Sequence, residues 1–172
     1  LTALSKNSEV IEFYEENEFR PVWVGGDRFA RDRRSYFFRE LNKTSEHALP
    51  TLRYDAAYLK NQFKLARTAT ELGSLEGLIT LKFLEYSSNL QTGVLKPAAV
   101  DKEIVRKVPY RSAGAYLKTI LSVKPQEFFE GLYPQSKQYT VLLSEKKRLE
   151  KIINQGGWYN ELPSELLRPG DS

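Results

Sequence analysis

Between Ser74 and Gln91 the chain places Leu75, Leu78, Ile79, Leu81, Phe83, Leu84, Tyr86 and Leu90 around more than one face of a helix. A helix apolar on several sides cannot sit at a surface, so its neighbours must enclose it. That single segment predicts a multi-helix body with this helix at its centre. Gly93 is its stop signal.

The flanking periodicities agree. Helices are predicted at about 8–17 (Val10, Phe13 and Tyr14 inward), 31–47 (Phe37, Phe38 and Leu41) and 55–68 (Tyr58, Leu59 and Phe63, opening on Asp55). Later helices are predicted at 112–123, from Pro125 to Pro134, and at 136–155. Residues 93–109 read as a polar connector with a short helix at about 99–105. Strands find no support beyond a weak case at Pro21–Val24. The expected fold is all-α: an irregular bundle of about six or seven helices around a central apolar helix, forming one domain over residues 1–172.

Composition narrows the chemistry. With no cysteine among 172 residues, disulfides, thiolate metal sites and a cysteine nucleophile are excluded within this chain. No methionine is present either, so Leu1 is expected to follow a natural start rather than to be one. No stretch approaches the roughly 20 apolar residues of a membrane span, and no signal peptide is visible. The net charge of +4 and pI near 9.2 suit an anionic partner without choosing among cell-wall polymer, phospholipid surface and nucleic acid.

Two aromatic signatures bracket the chain. Phe13-Tyr14 leads into Phe19-Arg20-Pro21-Val22-Trp23, and Gly156-Gly157-Trp158-Tyr159 leads through Leu162-Pro163 into Leu167-Arg168-Pro169-Gly170-Asp171-Ser172. Between them lie Thr92-Gly93-Val94-Leu95-Lys96-Pro97 and a helical hairpin with Pro134 and Tyr139. In order and spacing these features resemble the non-catalytic scaffold domain of large, multidomain (YcbB-like) murein L,D-transpeptidases, over about residues 13–172. Lys96 departs from the acidic residue common before that proline.

The resemblance implies a periplasmic parent enzyme that forms 3→3 peptidoglycan cross-links through an acyl-enzyme on a cysteine of another domain. Residues 168–172 would be the seam to a peptidoglycan-binding domain, followed by a β-rich catalytic domain. Those two domains are the implied partners, with peptidoglycan itself as a further one. The motif residues Phe19, Arg20, Pro21, Trp23, Gly93, Pro97, Gly156, Gly157 and Trp158 then read as structural. Pro21 and Pro97 fix turns, and Trp23 and Trp158 anchor the core or a domain seam.

Arg28, Arg31, Arg33, Arg34 and Arg39, interleaved with Phe29, Tyr36, Phe37 and Phe38, form the main candidate binding cluster. A solvated arginine face accounts for it. So does a grip on carboxylates of stem peptides or on phosphates, with Arg28, Arg31, Arg33, Arg34 and Tyr36 as ligand contacts. Single-stranded nucleic acid is the remaining option; no nucleic-acid-binding signature accompanies the cluster.

Other motifs carry less. Ser144-Glu145-Lys146-Lys147 fits Ser-x-x-Lys but lacks the Ser-Asp-Asn and Lys-Thr-Gly partners of penicillin-binding enzymes. Glu85 would be the general acid of a stand-alone wall-lytic enzyme, yet it falls on the polar edge of the central helix. His47 has no companion ligands, Gly25-Gly26 lacks a phosphate-loop continuation, and no cofactor is expected. Three functions are expected, in descending order: a non-catalytic scaffold module, a lytic enzyme using Glu85, and a basic helical nucleic-acid binder.

Overall fold

In a computed structural model, the structure describes residues 8–95, 103 and 110–158. Among them are seven α-helices and no strand, as expected for an all-α bundle. The helices are α1 (Ser8–Glu16), α2 (Arg28–Leu41), α3 (Ala56–Leu65), α4 (Ala69–Thr92), α5 (Ala113–Ser122), α6 (Pro125–Glu130) and α7 (Lys137–Asn154). The connector helix expected at 99–105, Pro97 and the motif from Tyr159 to Ser172 lie outside the described residues.

Each start has a local cause. Asp27 accepts from the Ala30 amide at 2.9 Å and caps α2, and Asp55 takes the Tyr58 amide at 2.8 Å for α3. Ser112 and Ser136 cap α5 and α7 in the same way. Pro125 opens α6 at a position where its missing N–H costs nothing. Two helices differ most from the sequence reading. α2 begins at Arg28 rather than 31, because Asp27 serves as its cap and not only as a turn residue, and it ends at Leu41 rather than 47. α4 begins at Ala69 rather than 74. There the Thr68 hydroxyl takes the Glu71 amide while the Glu71 carboxylate takes the Thr68 amide, a reciprocal capping box.

The chain divides between Pro134 and Gln135 into two compact units, so the single domain expected over 1–172 spans both. In the first, α1 packs on α5, α2 on α3 and α6, α4 on α3 and α5, and α5 on α6. α4 is the centre: Leu75, Ile79, Phe83, Tyr86 and Leu90 are buried, and no residue from Leu75 to Thr92 is exposed. Around it Trp23, Phe37, Phe128 and Phe129 close an aromatic cluster. Phe83 lies with ring centroids 4.9 Å from Trp23, 5.2 Å from Phe128 and 5.7 Å from Phe37. Each such ring buries roughly 150–250 Å², and tilted or edge-on pairs add to that. Gly93 stops α4 at φ 84°, a conformation that side chains with a Cβ avoid.

The second unit contains α7, in which no residue is fully buried. Its stop matches the Gly156-Gly157 expectation. Gly157 N–H bonds the Ile152 carbonyl at 3.0 Å and Gly156 N–H the Ile153 carbonyl at 3.1 Å, a Schellman ending with Gly156 at φ 105°. Trp158 beyond it is 67% exposed. Of the two roles anticipated for the tryptophans, the core role therefore belongs to Trp23, fully buried, and not to Trp158.

Phe83→Ala is expected to destabilise the first unit by about 3–5 kcal/mol, since the cavity it leaves is walled by rigid rings. Urea unfolding followed by tryptophan fluorescence and circular dichroism measures this. A loss below about 1 kcal/mol would mean the ring cluster is not the core.

Candidate functional site: a clamped aromatic motif beside a cationic groove

The Arg20-Pro21-Val22-Trp23 motif leaves α1 through a tight reversal in which Glu18 and Phe19 have left-handed φ of 54° and 55°. Such a conformation costs roughly 1–2 kcal/mol per residue for side chains with a Cβ. Phe19 itself is 71% exposed, and Arg20 reaches back to pair with Glu18 at the surface. Pro21 then starts an irregular run whose backbone bends at Val22, Trp23 and Val24, so the weak strand case at Pro21–Val24 does not hold. Belonging to no helix or sheet, its buried N–H groups need another acceptor.

That acceptor is Glu76 of α4. Its Oε1 receives the Val22 amide at 2.7 Å, and its Oε2 receives the Trp23 and Val24 amides at 3.0 and 2.9 Å. The Tyr14 hydroxyl donates to Oε1 at 2.6 Å and lies 2.7 Å from the Thr80 hydroxyl. Trp23 Nε1 donates to Thr80 at 3.0 Å. Three consecutive amides around one anion form a nest, the same device that holds phosphates elsewhere. Here a side chain of the protein fills it.

The opposite edge of the motif is held by α2. Arg33 Nε donates to the Val22 carbonyl at 3.0 Å, and an Arg34 amine donates to the Trp23 carbonyl. Arg34 also lies 3.9 Å over the Phe63 ring. Burial pulls both guanidinium pKa values below the ordinary arginine value, and the charges of Asp27 and Glu76 oppose that shift. Both stay cationic, because arginine has so much range to lose. Two of the arginines expected to contact a ligand therefore also support the backbone of the motif.

A groove of about 1240 Å³ runs alongside, within the first unit. Arg28, Arg33, Arg34 and Arg39 of α2 line it, with Tyr36. Lys60 and Lys64 come from α3, and Lys124 from the α5–α6 junction. Against these seven cations stands, among the described residues, one carboxylate, Asp32, itself 3.6 Å from Arg28. Apolar lining comes from Phe29, Phe63, Leu121, Val123 and Pro125. Arg39 lies 4.7 Å over the Tyr36 ring, whose plane stacks with Phe129 at 5.7 Å. Arg31, exposed, is not among the lining residues; of the expected contacts it is the one that falls outside the groove. Chemically, the groove can hold anions and shelter apolar groups between them.

A second buried carboxylate, Glu40, lies in the last turn of α2 with 0% exposure. It accepts from the Tyr133 hydroxyl at 2.7 Å and from Lys43 at 2.7 Å. Sequence reasoning missed both Glu40 and Glu76. Glu76 had a signal: it sits between Leu75 and Ile79 on the apolar stripe, four residues before Thr80, where a solvated glutamate has no place. The other candidates are occupied otherwise. Glu85 pairs with Lys82 at 3.0 Å. Ser144 donates to the Thr140 carbonyl at 3.0 Å on the surface of α7. His47 lies against Tyr133, ring centroids 4.6 Å apart. Among the described residues no group of His, Cys, Asp and Glu suits a metal ion, and no helix is long and apolar enough to cross a membrane.

Glu76→Gln puts an N–H group against the nest's amides, and is expected to cost at least about 3 kcal/mol in urea unfolding. A variant as stable as the parent would rule out the clamp as a source of stability. Alkali offers a second check. Burial, then the charge of Glu76, raises the Tyr14 phenol above its ordinary value of 10.0. A raised phenol contributes stability that is whole below pH about 10 and is lost as pH rises beyond it. Thermal midpoints should fall above that pH, and Tyr14→Phe should flatten the decline while lowering the midpoint at neutral pH.

A family model described as a Scaffold domain matches residues 8–145. No curated protein and no solved structure matches the chain.

Proposed function

Because this chain belongs to the Scaffold domain family, we propose that it is the non-catalytic frame of a periplasmic murein L,D-transpeptidase. It would hold a peptidoglycan-binding domain and a catalytic domain in position while the latter forms 3→3 cross-links. The observation that carries this reading is the clamp. One of the motifs whose order carries the transpeptidase resemblance, Arg20 to Trp23, is bound at its amides by Glu76 and at its carbonyls by Arg33 and Arg34. A segment held on both edges is built for rigidity, and rigidity is what a positioning frame supplies.

The interior supports the same role. Glu76, Glu40, Tyr14 and Tyr133 are all engaged with partners from within the chain. A catalytic acid needs its oxygens turned toward substrate in a cleft. Large exposed apolar side chains, among them Phe19, Phe29, Leu52, Leu142 and Trp158, are surfaces that neighbouring domains would cover.

The test has three parts. The gene beyond residue 172 should encode a β-rich domain with a cysteine nucleophile. This chain, titrated into that domain expressed separately, should bind it measurably by calorimetry. Alone on purified sacculi it should release no muropeptides, with or without Glu85→Gln. Release that depends on Glu85 would replace the frame by a lytic enzyme, and failure to bind either the catalytic domain or sacculi would leave the frame reading without support.

A further inference from the structure

We propose that the groove between α2, α3 and the α5–α6 junction is a docking site for an extended acidic polypeptide segment that carries apolar side chains between its carboxylates. This does not rest on the parent enzyme proposed above, since it comes from the groove's own lining.

Charge is the first argument. Among the described residues Lys60, Lys64 and Lys124 are exposed and form no ion pair, and Asp32 is the only acid in the lining. Seven cations gathered from three separate elements, with one carboxylate among them, repel one another. Binding an anion relieves that repulsion, and the field speeds the encounter. Size is the second. At about 1240 Å³ the groove exceeds the roughly 300–1,000 Å³ of small-molecule pockets. A polymer segment fits it better than a lone metabolite.

The apolar lining selects among polymers. Leu121, Val123 and Pro125 from the α5–α6 side and Phe29 from α2 would stay uncovered against a polyphosphate, which is polar throughout. A peptide covers them with its own apolar side chains while its carboxylates meet the guanidinium forks. Single-stranded nucleic acid needs free aromatic faces on which to stack its bases. Of the groove's four rings, Phe63 is covered by Arg34, Tyr36 by Arg39 and Phe129, and Phe38 is buried, which leaves Phe29 alone to stack. A lipid surface is flat, and the site is concave. The roles of Arg33 and Arg34 in the clamp fix two cations of the groove in place, so part of the site is organised before any ligand arrives.

The experiment is fluorescence anisotropy with the full chain and a labelled peptide of about ten residues alternating Glu and Leu, long enough to span such a groove when extended. Parallel arms use the matching Lys–Leu peptide, polyphosphate and oligothymidine. The acidic peptide should bind at about 20 mM salt and weaken as salt rises. It should bind tighter than polyphosphate or oligothymidine, and the Lys–Leu peptide should not bind. The triple variant Lys60→Glu, Lys64→Glu, Lys124→Glu should lose about tenfold or more in affinity with its circular dichroism unchanged. The single variant Lys124→Ala should lose a few-fold and serves if the triple is misfolded. Lys147→Glu with Lys151→Glu, on α7, should change little. No binding at low salt, equal binding by the triple or single groove variant, or tighter binding of either phosphate polymer would overturn the proposal.

Discussion

One carboxylate organises this fold. Glu76 lies on the central helix, four residues from Thr80, and receives three successive amides of a bent segment that belongs to no helix or sheet. Without an acceptor those buried N–H groups would each cost on the order of 1–3 kcal/mol, and the segment could not enter the core. With it, Trp23 is carried inside, where it meets Phe37 and Phe83 and gives its indole N–H to Thr80. The left-handed turn at Glu18 and Phe19 is tolerable for the same reason: the segment from Val22 to Val24 is fixed through its amides and its carbonyls.

The clamp also explains why the arginine cluster resists a single label. On α2, Arg33 and Arg34 lie against the motif's carbonyls and against the groove at once. Arg28 and Arg39 belong to the groove, and Arg31 to the surface. A solvated face, a structural support and a groove wall are all present in five residues of one helix. Their division comes from helical geometry, since adjacent positions point about 100° apart.

Much of this is legible in the chain. The caps Asp55, Ser112 and Ser136, Pro125 at the first turn of α6, and the stops at Gly93 and Gly156-Gly157 are local signals, and each acts where the sequence places it. The true starts of α2 and α4 are locally encoded as well, in Asp27 and in the Thr68–Glu71 pair, although apolar periodicity alone sets both starts too late. The groove has no local signal. Lys60, Lys64 and Lys124 are ordinary surface lysines until α3 and the α5–α6 junction bring them to the arginines of α2. The opposite fates of the two tryptophans are of the same kind. Both are aromatic plates beside a turn, and only the long-range acceptor at Glu76 distinguishes Trp23, buried, from Trp158, exposed.

By itself the sequence determined the helical class, the central place of α4 and the absence of any thiol chemistry in this chain. These are consequences of period, composition and capping, which act over a few residues. Tertiary structure alone decided which charges are buried, which arginines hold backbone and which lysines face the groove. Hydrogen bonds such as Val22 to Glu76 join residues more than fifty positions apart. Burial and electrostatic environment depend on neighbours in space, and no local pattern encodes who those neighbours are.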